Sequence, residues 1–325
     1  MPKVSIIIPT HSRPQLLPGA VESALKAGTD VEVIVVDDAS VDGTAEVCRS
    51  LRRIKYVRLE HNQGVAGARN VGILASSADF IAFLDDDDLR LPGSLDRQVD
   101  ALLANNEAGL VCGPMLLADQ EGNLTGEVSA PKGHEGDKGD KGDKGDEFWN
   151  LLELNFPVMP ISAVIRKRCF SSVGLLRNNL HGIDDWDIFV RIAELYPVLV
   201  LDQPVGIYRK PTPFSMQGSS PQAQHLSNVA RHQLELLRLP RARAATANKR
   251  REVRRRALSR IVDTLLGNAV QAIRQRAYEF GFANAVAALR LNPRRALRPR
   301  GYRRLRLVMR ARWSELWRSN ADPIP

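Results

Sequence analysis

Short, uninterrupted apolar runs separated by helix-length stretches constrain this chain more than any other feature. Val4 to Pro9, Val31 to Val36 and Phe80 to Leu84 are apolar at nearly every position. A run without in-out alternation is what a strand covered on both faces requires. Between these runs the pattern predicts helices from Pro14 to Lys26, from Thr44 as N-cap to Leu51, from Val65 to Ser76 and from Leu95 to Asn105. Further strands are predicted at Tyr56 to Leu59 and Leu110 to Cys112. Strand and helix alternate throughout. That order predicts an α/β fold, a mostly parallel sheet flanked by helices, with ligands gathered at the carboxyl ends of the strands.

Composition agrees with a full core: 325 residues at 44% apolar content suit one large domain plus an appendage. Cys48, Cys112 and Cys169 form no C-x-x-C pair and no even count, so inert thiols in a reducing compartment are expected. Met1-Pro2-Lys3 leads straight into a strand, without the parts of a secretory signal, and no run approaches about eighteen apolar residues. A cytoplasmic protein is the expectation.

The composition breaks at Pro131, where Gly-Asp-Lys triplets run to Gly145-Asp146-Glu147. The period is that of collagen, but about five triplets without proline at their second or third positions are a poor basis for a triple helix. A mobile, charge-balanced loop over 131–147 is expected, with a trimerisation or partner segment as the alternative. Beyond it, Phe148 to Leu152 reads as helix, Ile161 to Ile165 as strand and Asp185 to Leu195 as helix. Val198 to Leu201 and Val205 to Tyr208 read as strands that extend the first sheet. From Gln222 onward the pattern is helical and arginine-rich, which divides the chain into 1–220 and 221–325.

The chemistry-bearing residues cluster at predicted strand ends. Asp85, Asp86, Asp87 and Asp88 follow the strand Phe80 to Leu84 directly. Four adjacent carboxylates repel one another, and a hard divalent cation with oxygen ligands, Mg²⁺ or Mn²⁺, bridging to substrate phosphates would resolve this. Asp37-Asp38 ends the second strand in the same way, with turn chemistry as the plainer reading of that pair. The loop Pro9-Thr10-His11-Ser12-Arg13 leads into a helix and suits a base or a phosphate. Arg69, on the helix after Asn62-Gln63-Gly64, is a candidate diphosphate contact.

In this order, VSIIIPT at 4–10, VIVVDDAS at 33–40, Asn62-x-Gly64-x-x-x-Ala68-Arg69-Asn70-x-Gly72 and FLDDDD at 83–88 resemble the family 2 glycosyltransferases of GT-A fold. The resemblance covers residues 3 to 215. It implies a Rossmann-like sheet, a nucleoside-diphosphate sugar as donor, and a saccharide or lipid-linked acceptor. It also implies that Pro9, Thr10, His11, Arg13 and Asp38 hold the nucleotide, with Arg69 near it. Asp85-x-Asp87 becomes the D-x-D element. Asp87 is then the first choice as metal ligand with Asp85 beside it, and Asp85 and Asp86 reach ribose or sugar hydroxyls. The stretch Asp184-Asp185-Trp186-Asp187 is similar to the family's Glu-Asp element, which makes Asp185 the base that takes a proton from the acceptor hydroxyl. Inversion at the anomeric carbon is the outcome implied.

One departure stands out. The family often places a histidine after its Tyr-Arg pair, yet Tyr208-Arg209-Lys210-Pro211 is followed by Ser215-Met216-Gln217. Arg209 and Lys210 are the candidates to neutralise a diphosphate in its place, while the lone His181 reads as structural. A receiver module is disfavoured, because its acid pair would sit on the first strand and its site would need a later lysine, and a catalytically silent nucleotide-sugar or carbohydrate-binding scaffold on the same fold is the alternative function. The net charge of +9 is concentrated between Arg231 and Arg318. An amphipathic, basic C-terminal helix suits the anionic inner face of the cell membrane as well as packing on the catalytic domain. Nucleic acid is not expected, since no recognition motif accompanies the charge.

Overall fold

The structure, a computed structural model, describes residues 3–130, 146–154, 158–209 and 222–319. Residues 131–145 of the Gly-Asp-Lys repeat, and Lys210 through Met216 and Gln217, lie outside them. The chain divides into two compact units, 1–151 with 155–212, and 152–154 with 213–325.

In the first unit the order is β1 (Val4–Thr10), α1 (Leu17–Lys26), β2 (Val31–Asp37), α2 (Thr44–Ser50), β3 (Ile54–Arg58), α3 (Gly64–Ala75) and β4 (Phe80–Phe83). Then come β5 (Leu89–Arg90), α4 (Ser94–Ala104), β6 (Leu110–Cys112), β7 (Met115–Ala118), β8 (Leu124–Ser129) and α5 (Glu147–Leu152). The unit ends with β9 (Ala163–Arg166), α6 (Cys169–Val173), α7 (Asp184–Leu195), β10 (Val198–Val200) and β11 (Gly206–Arg209). Seven strands form the main sheet in the order β10-β6-β9-β4-β1-β2-β3. All neighbours are parallel except β9, which runs antiparallel to both β4 and β6. The apolar runs behave as their composition requires: every residue of β1 is buried. Helices shield the sheet, with Leu17, Val21, Leu95, Val99 and Leu102 packed into its core.

Two local expectations needed revision, and one hairpin was not foreseen. Val205 to Tyr208 does not extend the main sheet; β11 instead lies in a second sheet of order β5-β11-β7-β8. The cause is the break at Gly113-Pro114, which sends β6 into one sheet and β7 into the other. β10 pairs in parallel with β6 and β11 with β7, so the later strands follow the same division. β8 has no apolar run, with five of its six residues exposed, so no residue pattern marks the hairpin β7–β8. Thr44 is the first helical residue rather than the N-cap. Asp42 accepts from its N–H at 3.0 Å and from its hydroxyl at 2.6 Å.

The second unit is helical: α8 (Gln222–Leu236), α9 (Pro240–Ala244), α10 (Ala247–Arg274), α11 (Tyr278–Leu291), α12 (Pro293–Ala296) and α13 (Pro299–Ser319). Its spine is α10, which buries Val253, Ala257, Ile261, Val262, Leu265, Leu266 and Ala269 along one face. That spacing of three and four is an amphipathic stripe. Its arginines occupy the remaining surface. No helix among the described residues is long and apolar enough to cross a membrane.

The glycine of the Ala68-Arg69-Asn70-x-Gly72 motif is a packing requirement. A Cβ at Gly72 would stand 2.3 Å from Ile7 Cγ2 and 2.9 Å from Cγ1, so α3 crosses β1 at a distance only glycine permits. Gly72→Ala is therefore expected to destabilise the chain by about 1–3 kcal/mol, the usual cost of overpacking. Urea unfolding at neutral pH, with the midpoint lowered and the slope unchanged, checks this.

Candidate active site

Because β1 lies between β2 and β4 and is parallel to both, three strands end on one edge. Thr10 stands opposite Asp37, and the Leu84 N–H donates to the carbonyl of Ile7 at 3.0 Å before the chain leaves the sheet. The next four residues make a turn in which the Asp88 N–H reaches the Asp85 carbonyl at 3.1 Å. This turn sorts the four carboxylates. Asp86 and Asp88 are each only 3% exposed, whereas the side chains of Asp85 and Asp87 are 35% and 14% exposed.

Each acid has a different partner. Asp86 accepts from the Thr10 hydroxyl at 2.7 Å and from Arg13 Nη1 at 2.8 Å. Burial pushes its carboxyl up to about 6, with Arg13 and Thr10 pulling the other way. Asp87 meets the same Arg13 nitrogen at 3.3 Å, and burial followed by the charge of Asp85 holds it above the ordinary range. Asp88 accepts from the backbone N–H of Arg209 at 2.8 Å, which ties the acidic turn to β11. Burial, then Asp85 and Asp87, raises it well above its ordinary value.

Asp85 pairs with Arg69 Nη2 at 2.6 Å, and Nη1 of the same guanidinium reaches Asp184 at 3.1 Å. Asp184 and Asp185 open α7. Asp185 is half-buried and accepts from the Trp186 N–H at 2.7 Å. Burial and then Asp184 hold Asp185 above the ordinary carboxylate range, against the pull of Arg69. Asp187 faces away into its own cluster, with Arg191 at 2.7 Å and Arg177 at 3.3 Å. Sequence reasoning passed over Tyr208. Burial first, then the charges of Asp88, Asp85, Asp87 and Asp185, push its phenol up. Its position just before Arg209 was the available signal.

The other strand-end pair is hydrogen-bonded to its surroundings. Asp37, fully buried, accepts from the Ser40 N–H at 2.9 Å and from the Tyr56 hydroxyl at 2.8 Å. Asp38 accepts from the N–H groups of Gln63 at 2.7 Å and Gly64 at 2.9 Å, the unpaired donors where α3 begins. His11 Nδ1 lies 2.8 Å from the Asp38 carbonyl, which can only accept, so that nitrogen is the donor. Pro9 sits inside β1 opposite Val36 and brings no polar side chain. The turn reading of Asp37-Asp38 thus describes their contacts.

Residues 5–156 match the model of glycosyl transferase family 2. A relative from Campylobacter jejuni, described as a GalNAc(5)-diNAcBac-PP-undecaprenol beta-1,3-glucosyltransferase, is 41% identical over 135 residues, 40% of this chain and 43% of that protein. Residues 5–156 belong to glycosyl transferase family 2. Solved structures carry the fold further along the chain. S. aureus TarS superposes with a TM-score of 0.59 at 16% identity over 97% of this chain and 53% of its own. A mannosyltransferase from Pyrobaculum calidifontis, solved with GDP-Man and Mn²⁺, superposes with a TM-score of 0.55 at 19% identity over 90% and 87%. The fold is GT-A. The stretches matched to the curated relatives span about half of those proteins or less.

Within this GT-A domain the donor set suits a hard cation. Asp85 and Asp87 are the accessible members of the cluster, both offer carboxylate oxygens, and Asp87 is raised partly by the charge of Asp85. No three His, Cys, Asp or Glu side chains among the described residues form a ready-made metal cage. Mg²⁺ or Mn²⁺ held by one or two carboxylates plus substrate phosphates does not need one. The position where the family often has a histidine lies outside the described residues.

Asp38→Ala removes the carboxylate that accepts from the N–H groups of Gln63 and Gly64 at the start of α3, leaving Gly64 only the Asn62 side-chain oxygen at 3.2 Å. The expected loss is about 1–2 kcal/mol of stability, the scale of an N-cap deletion. Denaturant unfolding measures it, and hydrogen exchange should quicken at Gln63 and Gly64.

Proposed function

We propose that this chain transfers a sugar from a nucleoside-diphosphate sugar to an acceptor hydroxyl in polysaccharide or glycoconjugate assembly, with residues 1–220 as the transferase domain and 221–325 as a helical basic appendage. One observation carries the reading. In a family 2 domain, the acidic turn after β4 and the acid pair opening α7 are joined through a single buried arginine.

Asp185 is the base in this reading. Its raised proton affinity matches a group that must take a proton from a hydroxyl near neutral pH. As that proton leaves, the acceptor oxygen bonds to the anomeric carbon, the bond from that carbon to the diphosphate breaks, and the configuration inverts. Asp87 and Asp85 would hold Mg²⁺ or Mn²⁺, which would supply positive charge for the departing diphosphate. Thr10, His11 and Arg13 line the edge where the nucleotide lies, with Arg13 next to Asp86 and Asp87. A relative named for transfer to an undecaprenol-diphosphate glycan supports a lipid-linked or saccharide acceptor. The fold neighbour solved with GDP-Man and Mn²⁺ supports the metal.

A screen of nucleoside diphosphates for thermal stabilisation, with and without Mn²⁺, should give a base-selective shift that needs the metal. Asp87→Asn and Asp185→Asn should each abolish turnover of the matching nucleotide sugar, and full activity in both would sink the assignment. In the wild type, kcat/KM should fall toward acid as Asp185 takes up its proton. The midpoint should lie above the ordinary aspartate value of about 4.

The second unit supports a place on the inner face of the cell membrane. On α13 the buried line Gly301, Leu305 and Val308 leaves Tyr302, Leu307 and Met309 exposed beside Arg303, Arg304 and Arg306. Aromatic and aliphatic groups mixed with arginine suit an anionic interface. The intact chain should co-sediment with vesicles containing phosphatidylglycerol and not with purely zwitterionic ones. Arg303→Glu with Arg306→Glu should weaken that binding without altering solution turnover.

A further inference from the structure

We infer that Arg69 is a positioning residue that holds the acceptor-side base at a set distance from the donor-side acids, and that it does not touch the diphosphate. The inference rests on the transferase reading above. Arg69 is 3% exposed, so a diphosphate has no route to its guanidinium. One terminal nitrogen is committed to Asp85 and the other to Asp184, while Nε is buried without a hydrogen-bond partner. Its Cζ lies over the Phe83 ring on β4, 5.6 Å from the ring centre. A planar fork with two divergent N–H pairs can bridge two carboxylates, which a lysine ammonium on a flexible stem cannot do with the same geometry.

The neighbouring residue does the same work on the same segment. Asn70 donates to the Leu176 carbonyl at 2.9 Å and accepts from the Leu176 N–H at 3.0 Å. The two side chains thus fasten both the stretch that leads to α7 and the first residue of α7. Their helix is itself fixed, at one end by Asp38 on the N–H groups of Gln63 and Gly64, and further along by the contact of Gly72 with Ile7. Asp185 is one residue beyond the fastened Asp184. Its carboxylate is therefore placed relative to Asp85 and Asp87 through α3, not through the chain between them. Asp184, buried and paired, is the anchor of this strut rather than a second base.

The experiment compares Arg69→Lys, Arg69→Met and Asp184→Asn in the full chain, reading binding of UDP and GDP with Mn²⁺ by calorimetry, and turnover of the donor. Arg69→Lys should lower kcat by about 100-fold, the scale of a misplaced catalytic group, with nucleoside diphosphate affinity unchanged. If Arg69 instead contacts the diphosphate as a charge, Arg69→Lys keeps its kcat while Arg69→Met loses about tenfold or more in affinity, and the inference is overturned. Should the Arg69 variants fail to fold, Asp184→Asn leaves both Arg69 and Asp185 present. It should show the same fall in kcat at unchanged affinity, and a wild-type kcat there overturns the strut.

A stability cycle of Arg69→Met, Asp184→Asn and the double variant needs no activity. Non-additive losses support the tether, and additive ones overturn it. A wild-type chain that neither binds nor turns over any nucleotide sugar defeats the transferase reading instead, and the cycle then still decides whether the tether exists.

Discussion

The crowding of carboxylates at one edge of a parallel sheet is the constraint on which the rest of this structure depends. Six consecutive or paired aspartates, at 37–38 and 85–88, and two more at 184–185 are delivered to the neighbourhood of the ends of β1, β2 and β4. Such an arrangement stands only if each charge is hydrogen-bonded, paired or held partly protonated. The protein uses all three. Backbone N–H groups take up Asp37, Asp38 and Asp88; Arg13 and Arg69 take up Asp86, Asp87, Asp85 and Asp184; burial raises the proton affinity of Asp86 and Asp185.

The consequence is a division of labour between acids that look alike. Asp86 and Asp88 turn inward and tie the acidic turn to the first loop and to β11. Asp85 and Asp87 keep accessible oxygen, which makes them the members able to meet a cation or a substrate hydroxyl. The two arginines are likewise unequal. Arg13 sits at the partly open side of the turn, while Arg69 is sealed beneath it with Phe83.

The helix that carries Arg69 shows why its motif is dense in small residues. Gly64 has a positive φ of 74° as the chain enters the helix with its N–H on Asp38. Ala68 is fully buried, and Gly72 allows the closest approach to β1. Small residues let the helix sit deep enough for a single arginine to span from β4 to α7. In a looser packing the guanidinium would be solvated, and a solvated ion pair contributes little.

Much of this architecture was readable from residue order. Apolar runs without alternation mark strands covered on both faces, and their alternation with helices prescribes a parallel sheet, so the strand-end position of Asp38 and of Asp85 to Asp88 follows from local pattern alone. The exposed strand β8 and the transfer of β11 to the second sheet were not readable, because they depend on a proline break and on partners distant in the chain. Roles within the acidic cluster were not readable either. Four identical residues in a row carry no local difference, and only the turn that follows β4 decides which side chains face inward. Arg69 is the sharpest case. The sequence determined that an arginine lies on α3 near the acidic edge, whereas only the tertiary structure decided that it is buried between Asp85 and Asp184, because residues 16 and 115 positions away must be folded against it before its charge has partners.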